Sequence, residues 1–189
     1  MSLGGGVLGA AIAAVAGITV PPGPAAAGGF GDAVDAWIVS NAIVTPLGLV
    51  AAGAVVTGTS PITLTGSATS LRDAITTALG VTDPPGLAVW LLYAQAWHTQ
   101  ISTNGKANPT AFVASGAGGP VTGTGILSFT APMTIPLGIQ MGMTGLNIAL
   151  WALIEATTTL HLTSAAVINS LGFTSPSGGG PLVGASTIS

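Results

Sequence analysis

Residues 96–129, AWHTQISTNGKANPTAFVASGAGGPVTGTGILSF, change character half-way along. Up to Ile101 the apolar residues keep helical spacing: Leu87, Trp90, Leu91, Ala94, Trp97 and Ile101 share one face, which predicts a helix over 86–103 ended by Asn104-Gly105. Beyond it, GGPVTGTGILSFTAP (118–132) is rich in Thr and Gly, with Pro132 and Pro136 closing the run, a composition that suits short strands broken by turns. A helix that leads into Thr/Gly strands sets the expected class: α+β, several apolar helices with short Thr/Gly-rich antiparallel strands.

The same two textures recur on either side. ATSLRDAITTALG reads as a helix with Ser70 as N-cap and Gly80 as the glycine that ends it, and VTDPPG follows as a stop. VVTGTSPITLTG (55–66) suits one or two strands. GFGDAVDAWIVSNAIV reads as a helix capped by Asp32, with Asp35 three residues on, ending before Pro46. PPGPAAAGG (21–29) reads as a stiff, then flexible linker. Downstream, TGLNIALWALIEATTTLHL predicts a helix from about Thr144, SAAVINSLG a short helix ending at Gly172, and SPSGGGPLVGASTIS an irregular tail or edge strand.

Short matches point to an internal duplication. Ala36-Trp37 matches Ala96-Trp97, Pro46 matches Pro109, LVAAGA (49–54) resembles FVASGA (112–117), and V-T-G-T recurs at 56–59 and 121–124, at offsets of 60, 63, 63 and 65. LGVTDPPG (79–86) resembles LGFTSPSG (171–178) at an offset of 92. The organisation expected from this is an apolar segment and linker over 1–29, a helix-strand-helix unit over 30–86, a second, expanded unit over 87–178, and a tail over 179–189.

Charge is the unusual part of the composition. Arg72 and Lys106 are the whole basic complement, against Asp32, Asp35, Asp73, Asp83 and Glu155, so 4% of residues are charged; soluble chains average about 25%. A surface this poor in charge is expected to be covered by protein or lipid. Two cations cannot neutralise a run of phosphates, so nucleic acid is not an expected partner. With no cysteine, disulfides and thiolate chemistry are absent.

The opening run MSLGGGVLGAAIAAVAGITV carries Gly4, Gly6 and Gly9 in dinucleotide-loop spacing, but three preceding residues are too few for the strand such a loop needs. A secretory signal would need a positive charge ahead of the apolar run, and no Lys or Arg occurs before residue 72. Leu3 to Val20 is 18 uncharged residues, the lower edge for a membrane span. Gly5 and Gly9, then Ala13 and Gly17, give the small-x-x-x-small spacing of a helix made for close packing.

Residues suited to catalysis are few. His98 and His161 stand on separate predicted helices with no third ligand at metal-binding spacing, and no G-x-S-x-G elbow or phosphate loop occurs. Asp32 and Asp35 sit where a helix start favours carboxylates. Trp37, Trp90, Trp97 and Trp151 fall in predicted helices, as core or interface anchors. Gly118, Gly119 and Gly123 are expected to let strands approach closely. No catalytic, cofactor or metal site is assigned.

The segment 96–129 resembles small Ala/Gly/Thr-rich structural proteins of bacteriophage tails and phage-derived contractile injection machines, which have a similar helix followed by a VTGTG-type segment. The resemblance implies a non-catalytic component of a virion or injection machine at a tail, baseplate or neck, partnered by other structural proteins and copies of itself. Two alternatives stand beside it. One is a small oligomeric membrane protein anchored by the N-terminal glycine-rich helix, and the other is a capsid decoration protein, for which more charge is expected.

Overall fold

The computed structural model describes residues 4–18, 23–133 and 135–189. It is an α+β fold in which one unit occurs three times: a short helix, a long helix, then a bent β-hairpin. The first unit is α1 (Gly5–Val15), α2 (Gly23–Asn41), β1 (Ala42–Val44), β2 (Leu49–Ala52), β3 (Val55–Gly58) and β4 (Ser60–Leu64). The second is α3 (Ala68–Leu79), α4 (Pro84–Asn104), β5 (Gly105–Asn108), β6 (Gly119–Pro120) and β7 (Thr124–Phe129). The third is α5 (Leu137–Gln140), α6 (Leu146–Ala165), β8 (Val167–Asn169), β9 (Phe173–Ser175), β10 (Gly180–Pro181), β11 (Val183–Gly184) and β12 (Ser186–Thr187).

Strand register proves the equivalence. At the base of each hairpin Val44 pairs with Ile62, Ala107 with Leu127, and Ile168 with Ile188. The bases join one another in the order β12-β1-β4-β5-β7-β8. The ring closes where Val167 and Ser189 exchange backbone hydrogen bonds of 2.7 and 2.9 Å. Past a bend, the hairpin ends form a second closed ring. Leu49 pairs with Gly58, Val113 with Thr122 and Phe173 with Gly184 within units; Val50–Pro181, Val55–Val113 and Pro120–Thr174 join them. Closure leaves neither ring a free edge.

Period-two alternation sends one face of every strand inward. The lower ring is filled by Val44, Ala107 and Ile168 with Ile62, Leu127 and Ile188, and the upper ring by Leu49, Phe112 and Phe173 with Val56, Val121 and Leu182. None of these is more than 5% exposed, and each large side chain so buried contributes about 1.5–3 kcal/mol. The bend between rings needs a residue with positive φ, supplied by Gly58 (+95°), Gly123 (+94°) and Gly184 (+104°). A Cβ there would lie 1.9, 1.9 and 2.0 Å from the carbonyl oxygens of Gly48, Ala111 and Gly172.

On the other side of the lower ring the six helices of the described residues form a ring of their own, each short helix touching the long helix on either side. Gly80 (φ +67°) ends α3 as expected, and Asp83 caps α4, its carboxylate accepting from the Gly86 N–H at 2.8 Å. The cap of α3 is Ser67, whose hydroxyl accepts from the Ser70 N–H at 3.1 Å, one turn before the expected Ser70.

The structure differs from the sequence expectation at further places. The stretch read as a linker over 21–29 is helical from Gly23, and Asp32 and Asp35 lie inside α2 rather than at its cap. Packing overrides the poor propensity there: Cβ atoms on Gly5, Gly9 and Gly31 would fall 2.4, 2.4 and 2.1 Å from the Asp32 Cα, the Ala27 carbonyl oxygen and the Gly5 carbonyl oxygen, so α1 and α2 cross backbone to backbone. SAAVINSLG does not form a helix: α6 stops at Ala165 and Val167–Asn169 is β8, paired with β7 on one side and with the chain's last residues on the other. The duplication is a triplication, and the expected unit boundary at 86/87 falls inside α4 while that at 178/179 falls inside the third hairpin. LGVTDPPG joins two helices whereas LGFTSPSG is hairpin, so that match is coincidental. The opening helix predicted over Leu3 to Val20 is α1 where described; residues 1–3 and 19–22 lie outside the described residues.

Gly9→Leu is expected to lever α1 off α2, costing about 1–3 kcal/mol as over-packing does. Limited proteolysis should then cut near α1 while the β-rings keep their protection.

Candidate functional site

Among the described residues the ionisable groups that pair are one exposed couple, Arg72 and Asp73 on α3, one buried couple, and half-buried groups tied to backbone. His161 on α6 reaches Asp35 on α2, Nε2 standing 3.2 Å from both carboxylate oxygens, with side chains 6% and 4% exposed. Burial raises the Asp35 pKa above its ordinary value, opposed by the hydrogen bond and charge of His161 and assisted by Asp32. Tyr93, Trp97 and Thr158, from α4 and α6, line one small cavity among the long helices, and their hydroxyls and indole N–H lack a protein partner in hydrogen-bonding geometry. Burial pushes the Tyr93 phenol upward. His98 Nε2 lies 3.0 Å from the Gly66 carbonyl oxygen, and Glu155 accepts from the Leu137 N–H at 2.9 Å, tying α6 to the start of α5. No cluster of three or more His, Cys, Asp or Glu suited to a metal is found among the described residues.

The four tryptophans divide. Trp37 is core, its indole N–H donating to the Ser70 hydroxyl at 2.9 Å, and Trp97 is core beside Tyr93. Trp90 and Trp151 are half-buried and meet edge to face with ring centroids 6.1 Å apart, next to Phe30. Gly5 and Gly9 lie in the α1–α2 crossing. Gly118 (φ +85°) sits at the tip of the second hairpin, where a Cβ would come 2.8 Å from the Ser177 nitrogen; Gly119 (φ +119°) has open space around it, and Gly123 is the bend residue.

The surface that stands out is the upper ring. Residues 46–59, 109–124 and 170–185 hold no charged side chain. Exposed on this crown are Val50, Val55, Val113 and Val183, together with Leu47 and Leu171, the last 89% exposed. The threefold register makes it a repeated surface: Val50, Val113 and Thr174 are equivalent, as are Val55, Pro120 and Pro181. Scarcity of charge was visible in the sequence; its gathering at one end of the fold was not, because that depends on the ring.

The chain matches no protein-family profile, no curated protein and no solved structure. No helix among the described residues is long and apolar enough to cross a membrane.

Proposed function

We propose that this chain is a non-catalytic structural component of a phage virion or phage-like injection machine, working at a tail, baseplate or neck by protein–protein assembly. The observation that carries this reading is the charge-free crown. Its hairpins pair with one another around a closed ring, so what it offers a neighbour is an apolar, threefold-repeated surface of valine, leucine and threonine. Such a surface gains from being covered by protein and is a liability in water. The reading includes other structural proteins and copies of this chain as partners, and it requires no cofactor and no nucleic-acid contact.

The test is sedimentation of the purified chain without detergent. The wild type is expected to self-associate at tens of micromolar, and V50K/V113K/T174K, which places three cations on equivalent outward positions, to sediment as a monomer with its fold intact by circular dichroism. A wild type that stays monomeric and a variant indistinguishable from it defeat the reading. A discrete species that appears only with detergent or liposomes favours the membrane-protein alternative.

A further inference from the structure

One departure from the threefold repeat, on the long helices, leaves a hole. Ala27, Trp90 and Trp151 stand at the same distance from the ends of α2, α4 and α6, so they are equivalent positions of the three long helices. Two carry an indole and the third a methyl. At that position lies an apolar pocket of about 230 Å³, open to solvent, bounded by Ala27, Phe30, Trp90, Trp151, Ile12 and Ile154. Apolar protein cavities of about 150 Å³ already accept benzene.

We propose that this pocket is a socket for one flat, uncharged, apolar ring group of up to indole size, presented as an aromatic side chain by a partner chain. The equivalent positions of the other two units each carry an indole, and those two indoles are themselves walls of the pocket, so a third ring would complete an aromatic cluster there. Trp90 presents its ring edge-to-face to Trp151 and tilted to Phe30, geometries in which a further ring gains contact energy. No charged side chain among the described residues bounds the pocket, so a charged ligand has nothing there to pair with. No described aromatic residue stands fully exposed on this chain, so a second copy is a poorer source of the ring than another protein. Aromatic anchors seated in preformed apolar pockets are the commonest strong points of protein interfaces. Only the source of the ring rests on the assembly reading; the socket itself rests on the broken repeat.

The experiment titrates the full chain with indole, followed by tryptophan fluorescence and calorimetry, and then with N-acetyl-tryptophanamide. Indole is expected to bind saturably with one site and a Kd of roughly 1 mM or tighter. Ala27→Trp, which supplies the missing ring from within, is expected to weaken this at least about tenfold. Ala27→Leu fills part of the same space and serves if the larger variant does not fold. No saturable binding by the wild type, or unchanged binding by the filled variants, overturns the socket. The amide derivative should bind within about tenfold of indole; its exclusion overturns the partner side chain as the source and leaves a free small ring. If the crown variants abolish association while indole does not bind, the socket falls and the assembly reading stands; the converse pair of results does the opposite.

Discussion

Gly123→Ala is expected to lose about 2–4 kcal/mol of folding stability, a large part of the 5–15 kcal/mol a domain has in total. Two costs combine. The residue sits at φ +94°, where an L side chain is strained. The added methyl would also lie 1.9 Å from the carbonyl oxygen of Ala111, a backbone atom in the facing arm of the hairpin that cannot swing aside as a side chain would. Relief requires the two arms of the hairpin to part, which pulls Phe112 and Val121 out of the upper core. Gly116→Ala is the control: its φ is not positive, a Cβ there meets nothing within 4 Å, and the change should be neutral or slightly stabilising. Urea unfolding of both variants separates a conformational demand from a general intolerance of alanine. Gly58→Ala and Gly184→Ala should show losses of similar size, since their neighbours Gly48 and Gly172 stand at the same place; a neutral result at either would mean that the three hairpins do not bend alike.

This position also shows what the sequence reveals and what it hides. V-T-G-T at 56–59 and 121–124 is legible because two units kept the same letters around the bend glycine. The third unit reads L-V-G-A at 182–185, and only the glycine and an apolar residue two positions before it survive. Burial asks for size and apolarity rather than identity, so Val44, Ala107 and Ile168 fill equivalent places without resembling one another. A reading by matched letters therefore finds two copies where packing shows three. The α4 helix was legible over 86–103 from its apolar face and its Asn104-Gly105 end, whereas its start at Pro84 behind the Asp83 cap read only as the stop of the helix before it. The start of α2 was not: Gly, Pro and Ala there have the composition of a linker, and they are helical because α1 needs their lack of side chains to approach. The VIN strand was hidden for a related reason, since its two hydrogen-bonding neighbours are about 40 and 20 residues away in the chain. For the crown, the sequence carried the paucity of charge and the Thr/Gly texture, but an outward face exists only once ring closure has decided which alternate residues point in.

The pair most remote from sequence reading is also the one whose removal should cost most among the side chains. Asp35→Ala leaves the His161 imidazole in the interior without its partner, and His161→Ala strands a buried carboxyl group; each is expected to cost about 3–5 kcal/mol, the usual penalty for breaking one half of a buried pair. The double variant should cost clearly less than the two together, because it strands nothing. The pH dependence reports which force dominates at Asp35. Burial raises its pKa more than His161 lowers it, so the folded chain holds the proton at pH values where the unfolded chain has released it. The folded state then binds more protons than the unfolded state over that interval. Asp35 therefore contributes most at low pH, and its contribution falls as pH rises from the ordinary carboxyl range near 3.9 through the raised value, after which it is constant. Asp35→Asn keeps a polar group in the place and removes the titration. Measured by urea unfolding across pH, the stability of the wild type minus that of Asp35→Asn is expected to decline and then level off. A difference that climbs with pH instead would mean that attraction to His161 outweighs desolvation, and that the helices α2 and α6 are joined by a true ion pair rather than by a hydrogen bond to a reluctant acid.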